Sequence, residues 1–232
     1  PALASIKGGI VMIETTIKIL QRYGYVYAQG LAGTLCLAGI TIVAGTIIGT
    51  ALALFRMSKI KPLQWFVKGY VWVLRGTPIL LQLYFFWILL PRVLPFEIPD
   101  TACIIIALIV NSGAYVAEII RAGVQAVDSG QMEAARCLGL TGSQAMFKVV
   151  LPQAVRNILP ALGNEFINMI KQVSLASVFF INELTTSYKT VLAATYIPIE
   201  SILIAGMIYL LVTTVLSQVV NVMEWRMRLA EG

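Results

Sequence analysis

The chain has 232 residues, of which 59% are hydrophobic and 12% are charged, and its formal net charge is +6. This balance excludes an ordinary soluble globular protein, and in a membrane protein the positive excess indicates orientation rather than a nucleic-acid-binding surface. The sequence has no histidine and its three cysteines are isolated, which excludes imidazole-based catalysis and cysteine-based metal or redox motifs. We therefore predict an all-α integral membrane protein that is not an enzyme and binds neither a metal nor a nucleic acid.

Residues 1–24 have the pattern of an amphipathic helix. The apolar side carries Ile6, Ile10, Ile13, Ile17 and Leu20, and the polar side carries Lys7, Glu14, Lys18 and Gln21. Such a helix is expected to lie along the outer surface of the membrane. A cleaved signal peptide fits poorly, because Glu14 interrupts the apolar segment and no small-residue cleavage site follows it.

Residues 25–226 are predicted to form a transmembrane domain of about five helices. The predicted spans, the second with or without an extension over Gln64–Leu74, are Tyr25–Phe55, Thr77–Leu90, Thr101–Ile120, Pro152–Val173 and Pro198–Met223. The first and last are apolar throughout, as a helix that crosses about 30 Å of hydrocarbon requires. The other three carry polar residues or prolines, which is expected of helices that face a protein interior or a transport pathway.

Lysine and arginine are concentrated in two of the predicted connections. The set between spans one and two is Arg56, Lys59, Lys61, Lys68 and Arg75, and the set between spans three and four is Arg121, Arg136, Lys148 and Arg156. The positive-inside rule places both connections in the cytoplasm. With five spans, the N-terminus is then expected outside and the C-terminus in the cytoplasm.

The segment 128–152 is a polar island between apolar segments and has the pattern of two short helices. Asp128 or Ser129 can cap the first helix, Asp128 forms a loose capping box with Gln131, and Gly139 suits a left-handed turn at the end of the helix. Thr141 with Gln144 forms a second capping box, which opens another short helix through residue 150.

Three motifs resemble a known family. The first consists of Glu133, Ala134, Ala135, Gly139, Leu151 and Pro152; the others are Arg75-Gly76-Thr77-Pro78 with Gln82, and Ser112-Gly113-Ala114-Tyr115 followed by Glu118 and Arg121. The first resembles the Glu-Ala-Ala loop of permease subunits of ATP-binding-cassette (ABC) transporters, and the other two resemble permeases for polar amino acids. The resemblance runs from about residue 30 to the C-terminus. Pro152 fits the first turn of a further helix, because a proline there loses no hydrogen bond.

The resemblance implies an importer in the inner membrane of a bacterium. The chain has no Gly-x-x-x-x-Gly-Lys-Ser/Thr sequence, so ATP and magnesium are expected on a partner. The implied partners are two ATPase subunits, a second permease chain, and an extracytoplasmic substrate-binding protein. A homodimer is preferred to a heterodimer, because this chain carries both a complete loop and a full set of embedded polar residues. In the loop, Glu133 is expected to pair with a basic residue of the ATPase, while Ala134 and Ala135 permit close backbone approach.

Polar residues within the predicted spans are candidates for substrate binding. They are Asn111, Ser112 and Tyr115 in span three, and Asn164, Glu165, Asn168 and Lys171 in span four. A charged residue at such depth is costly and indicates a functional site. The alternative is structural pairing, of Glu165 with Lys171 or of Glu118 with Arg121, and for Glu118 the structural pairing is favoured.

The predicted substrate is a polar amino acid. Glu165 could hold an α-ammonium group or a basic side chain, while Asn164, Asn168 and helix N-termini near Pro78 could hold the carboxylate. This favours arginine, lysine or histidine, with glutamine also compatible. The alternative function is a stand-alone ion-coupled secondary transporter that uses Glu118 or Glu165. The odd number of spans and the lack of a visible internal repeat argue against it.

Overall fold

A computed structural model describes the backbone from Ala2 to Leu229 and the side chains of residues 11–227. Within this part every regular element is a helix. The α-helices are α1 (Ala2–Met57), α2 (Lys61–Gly76), α3 (Ile79–Val93), α4 (Asp100–Gln125), α5 (Ser129–Cys137), α6 (Gly142–Ala145), α7 (Leu151–Gln172), α8 (Leu184–Thr195) and α9 (Pro198–Leu229). A π-helical turn (Met146–Val150) precedes α7, and a 3₁₀ helix (Val173–Phe179) follows it.

The helices divide into two compact units. The smaller unit contains the chain up to Ala38 together with Ile170–Val215, and the larger contains Gly39–Met169 together with the residues from Leu216 onward. The all-α class predicted from the sequence is confirmed.

A separate N-terminal helix is not confirmed. The predicted interfacial segment is continuous with the first predicted span in the 56-residue α1. A helix of this length extends about 84 Å, far more than the hydrocarbon core of about 30 Å. The side chains of Ile6, Lys7 and Ile10, on which the amphipathic pattern partly rests, lie outside the described side chains.

Length and composition give fewer clear spans than the five predicted. Val11–Met57, Asp100–Gln125 and Pro198–Met227 are each long and apolar enough to cross a membrane. The pair α2 and α3 qualifies as a fourth only when taken together, and it is bent by 111°. The helix α7 covers the predicted fourth span almost residue for residue, but its polar side chains keep it from qualifying.

The bend between α2 and α3 is closed by Gln82. Its side-chain amide donates to the carbonyl oxygen of Leu74 at 2.8 Å and to the carbonyl and hydroxyl oxygens of Thr77 at 3.2 and 2.8 Å. Asn111 of α4 donates to the Gln82 amide oxygen at 2.8 Å. A helix break inside a membrane protein must find partners for its freed backbone groups. The motif that includes Gln82 therefore encodes a bend, so the optional extension of the second span over Gln64–Leu74 is not collinear with α3.

Replacing Gln82 by leucine is expected to lower the free energy of unfolding by about 1–3 kcal/mol, because the buried Leu74 carbonyl, the part-buried Thr77 carbonyl and the Asn111 amide lose their partner. A matched control is Gln131→Leu, since Gln131 is exposed and its hydrogen bond to Gln153 is 3.3 Å long. Thermal unfolding of the two variants in detergent measures the difference. Equal melting temperatures would contradict this role for Gln82.

In the smaller unit, a buried carboxylate holds the start of α8. Glu183 is fully buried and accepts from the backbone N–H groups of Thr185 and Thr186 at 2.7 and 2.5 Å. The hydroxyl of Tyr209 donates to the same carboxylate at 3.0 Å. The helix N-terminus and Tyr209 solvate this charge inside the protein, in the connection between α7 and α9.

Candidate coupling loop and embedded polar site

The first helix of the loop is capped at both ends. Asp128 accepts from the backbone N–H of Gly130 at 2.6 Å, so the predicted cap is present without the capping box to Gln131. At the other end Gly139 has φ +88°. The backbone N–H of Gly139 donates to the carbonyl oxygen of Arg136 at 3.0 Å, and the backbone N–H of Leu140 donates to the carbonyl oxygen of Ala135 at 3.2 Å. These two bonds form a Schellman motif, which confirms the predicted glycine turn.

The second helix of the loop leads directly into α7. The capping box of Thr141 and Gln144 is confirmed, with both reciprocal hydrogen bonds present at 3.3 and 2.9 Å. Pro152 lies in the first turn of α7, as predicted, but this helix is not separate, because α6 continues through the π turn into α7 without a break. In an α-helix a proline ring clashes with the carbonyl group four residues earlier. Here that carbonyl lies in the π turn, which is wider than an α-helical turn.

The loop is fastened to the helix that follows it. The side chain of Gln153 in α7 donates to that of Gln131 in α5 at 3.3 Å, and α5 packs against both α6 and the π turn. Because α6 is also continuous with α7, a force on the loop reaches α7 through two connections.

The outer surface of the loop is partly apolar. Glu133 and Ala134 are exposed, whereas Ala135 is buried inside the loop. The expected contact of these residues with an ATPase remains a prediction. Leu138 and Phe147 are instead 85% and 66% exposed. The sequence reasoning missed both residues, although a leucine beside a glycine turn and a phenylalanine in a polar segment were visible signals.

An ion cluster lies where α1, α2 and α4 meet in the larger unit. Glu118 accepts from Arg56 at 2.6 Å, pairs with Arg121 one turn away, and lies 3.9 Å from Arg75. The guanidinium of Arg75 also lies 5.3 Å from the ring centroid of Tyr115. The predicted structural pairing of Glu118 with Arg121 is confirmed. Tyr115, predicted to bind substrate, has a cation–π partner in Arg75.

The other candidates in α4 occupy packed positions. Asn111 is 2% exposed and supports the bend through Gln82. Ser112 is fully buried, and a Cβ added to Gly45 of α1 would stand 2.7 Å from its Cβ. Gly45 and Gly49 form a Gly-x-x-x-Gly pattern that lets two membrane helices approach closely. Substrate binding by Asn111 and Ser112 remains a prediction.

The candidates in α7 separate into one buried and three exposed residues. Glu165 is 5% exposed, and its Oε1 atom has no hydrogen-bond partner among the described residues. Asn164, Asn168 and Lys171 are exposed. The side chain of Asn168 and the positive charge of Arg75 both stabilise the negative charge of the Glu165 carboxylate. Glu165 forms no ion pair with a cation among the described residues.

A polar cavity of about 530 Å³ lies beside α7 in the larger unit. Its lining includes Arg156, Asn157 and Asn164 of α7 and Glu224 of α9. The cavity thus contains one basic group, one acidic group and two amides. Asn164 is the predicted substrate residue that the structure places in a cavity.

Comparison with known proteins identifies the family. Residues 41–229 match the family described as binding-protein-dependent transport system inner membrane component. The chain belongs to this family. It is therefore a multi-pass permease of the inner membrane, and its family works with an ATPase and a substrate-binding protein. The resemblance drawn from the three motifs is confirmed.

Several relatives of the permease are amino acid transporter subunits. The arginine transport system permease protein ArtQ of Bacillus subtilis is 38% identical over 86% of this chain and 91% of that protein. The nopaline transport system permease protein NocM of Agrobacterium fabrum is 40% identical over 83% of each. A probable glutamine ABC transporter permease, GlnM of Bacillus subtilis, is 36% identical over 91% of this chain and 97% of that protein.

Solved structures agree with this assignment of the permease. One crystal structure, of an amino acid ABC transporter with histidines, matches with a TM-score of 0.85 and 42% identity over 89% of this chain and 96% of that one. An inward-facing structure of the MetNI methionine ABC transporter matches with a TM-score of 0.64 at 18% identity, over 86% and 96% of the two chains, and supports the fold alone. The alternative of a stand-alone ion-coupled transporter has no support among these proteins.

Proposed function

We propose that this permease forms the pathway of an ATP-driven importer for polar amino acids, and within that class for basic ones. The observation that carries the proposal is Glu165, a buried carboxylate whose Oε1 atom has no partner among the described residues. A buried carboxylate with an unpartnered oxygen and no ion pair is costly, and a cationic group of the substrate would compensate this cost. Its α7 neighbours Asn164, Asn168 and Lys171 could bind the substrate carboxylate.

The polar cavity beside α7 suits the passage of a polar solute. Two amide side chains of α7, those of Asn157 and Asn164, belong to its lining and can each donate and accept hydrogen bonds. Asn164 belongs to the cavity lining and adjoins Glu165 in sequence, which supports a route for the substrate along α7.

The loop from 128 to 152 is proposed to dock an ATPase on the cytoplasmic side. Its two capped helices form a rigid projection, and its continuity with α7 supports transmission of ATPase closure to the pathway. The assembly we propose has two such permease chains, preferably identical, with two ATPase subunits and an extracytoplasmic binding protein. A true or approximate two-fold axis would relate the permease chains.

Competition for uptake tests the proposed substrate class. Cells or vesicles that contain the assembled importer take up labelled arginine, and unlabelled arginine, lysine, histidine, glutamine and glutamate are added in turn. We expect the three basic amino acids to compete more strongly than glutamine, and glutamate to compete least, because its side chain repels Glu165. Strong competition by glutamate with none by lysine would contradict the proposed class.

A further inference from the structure

Three arginines surround the carboxylate of Glu118 in the larger unit. Arg56 and Arg121 donate hydrogen bonds to it, so two cations already share its negative charge. The guanidinium of Arg75 lies 3.9 Å from the carboxylate, which is longer than a hydrogen bond. The Arg75 side chain is 43% exposed, against 19% for Arg56 and 23% for Arg121. Three cations around one anion leave an excess of positive charge, and Arg75 is its most exposed and least tightly held member.

The packing of α4 and α7 brings Glu165 to the level of this excess charge. The two helices meet at Gly123, where an added Cβ would overlap the side chain of Ile158. Glu118 and Tyr115 precede Gly123 by five and eight residues, which is about 8 and 12 Å along α4. Glu165 follows Ile158 by seven residues, which is about 11 Å along α7. Because α4 ends and α7 begins beside this contact, both stretches lead away from the loop to a similar level.

Arg75 acts on Glu165 from this position. Its guanidinium lies 5.3 Å from the centroid of the Tyr115 ring, and its positive charge stabilises the Glu165 carboxylate through space. The described side chains of Arg75 and Glu165 do not form an ion pair with each other. One oxygen of Glu165 has no hydrogen-bond partner among the described residues. The carboxylate is therefore open to a ligand while a resident cation stands nearby.

We propose that Arg75 sets the charge selectivity of the pathway by weakening the hold of Glu165 on cationic substrates. This inference rests on the function proposed above, in which Glu165 holds a cationic group of the substrate. Arg75 repels a substrate with a net positive charge but not a neutral amino acid of the same shape. A unit charge about 10 Å away changes binding by about tenfold at the effective dielectric constant of a partly buried site. Arg75 thereby keeps a basic amino acid from being held so tightly that it is not released.

Equilibrium binding of arginine and citrulline tests this role, because the two amino acids have nearly the same shape and differ by one charge. Each labelled amino acid is dialysed against the purified complex of permease and ATPase, without the binding protein, which would bind substrate itself. We expect Arg75→Gln to tighten arginine binding by about tenfold and to change citrulline binding by less than about twofold. Arg75→Lys keeps the charge and should resemble the unaltered permease.

Arg92→Gln is the matched control, since it also removes one positive charge. Arg92 is exposed near the end of α3, and its side chain contacts a carbonyl group of its own helix, so both affinities should stay unchanged. Weaker binding of both amino acids to Arg75→Gln would overturn the proposal, because Arg75 would then hold the substrate carboxylate. Unchanged arginine binding would overturn it too and leave Arg75 a structural role.

Rising salt concentration provides a second measurement that needs no variant. Salt screens exposed charges more than buried ones. It should therefore weaken the repulsion by the exposed Arg75 more than the attraction by the buried Glu165. Arginine binding to the unaltered complex should tighten relative to citrulline binding, and a relative weakening would count against the proposal.

The same assay on Glu165→Gln separates this inference from the proposed function. If Glu165→Gln weakens arginine binding and Arg75→Gln does not strengthen it, the inference about Arg75 fails and the proposed function stands. If Glu165→Gln leaves arginine binding unchanged, the proposed function fails and the inference fails with it.

Discussion

Replacing Leu138 and Phe147 together by aspartate is expected to abolish ATP-driven uptake while the permease remains inserted in the membrane. These side chains are the large apolar groups exposed on the surface of the loop, at 85% and 66%. Exposed apolar anchors of this kind dominate binding when a partner covers them, and each typically contributes about 2 kcal/mol or more. Two new charges in the same contact would add a desolvation cost. We expect the affinity of the permease for its ATPase to fall by at least about 100-fold, so that the ATPase is lost from the purified complex.

The control uses residues of equal exposure away from the loop. Phe180 and Tyr196 are 85% and 86% exposed in the smaller unit, and aspartate tolerates their positive φ angles of 55° and 56°. Phe180→Asp with Tyr196→Asp should leave ATPase retention unchanged. Gly139→Pro is a second test, because proline cannot adopt the φ of +88° that the glycine turn requires. Normal ATPase retention and uptake in the Leu138/Phe147 variant would remove the loop from the docking surface.

Replacing Glu165 by glutamine is expected to reduce uptake of arginine and lysine steeply, with binding by the external receptor unaffected. The change preserves size and removes the charge that would hold a cationic substrate group. Loss of one partner of a desolvated charge pair typically costs about 2–5 kcal/mol, which is at least tenfold in apparent affinity. The melting temperature of the substrate-free complex should not fall, because Glu165 has no paired cation among the described residues.

Glu183→Gln provides the matched control for Glu165→Gln. Both carboxylates are buried, but Glu183 is satisfied by two backbone N–H groups and Tyr209. Its replacement should lower the melting temperature and leave the order of preference among amino acids unchanged. If Glu165→Gln instead lowers the melting temperature and Lys171→Met restores it, Glu165 is a structural partner. Unchanged uptake of every amino acid would also exclude it from the pathway.

Local signals in the loop were readable from the sequence because they depend on a few neighbouring residues. The cap at Asp128, the turn at Gly139 and the capping box at Thr141 each follow from side chains within three or four positions. Which loop residues face outward was less readable, since that depends on packing between the two short helices. The burial of Ala135 and the exposure of Leu138 follow from this packing.

Long-range hydrogen bonds could not be anticipated from spacing. Gln82 appeared only as part of a family motif, yet its partners are carbonyl groups at the end of α2 and the amide of Asn111. The burial of Glu183 is likewise not visible in the sequence, because Tyr209, which donates a hydrogen bond to its carboxylate, is 26 residues away. Periodicity likewise cannot reveal that α1 remains one helix, because an amphipathic segment and an apolar span can share an axis.

Reconstitution of transport tests most directly whether this chain is an ATP-coupled permease for basic amino acids. Proteoliposomes are prepared with the permease alone and with the permease, its ATPase and its binding protein together, and uptake of labelled arginine is measured with and without ATP. We predict uptake only in the complete system and only with ATP, with a loss of at least about tenfold in the Glu165→Gln variant. Gradient-driven uptake by the permease alone, without ATP, would contradict the account.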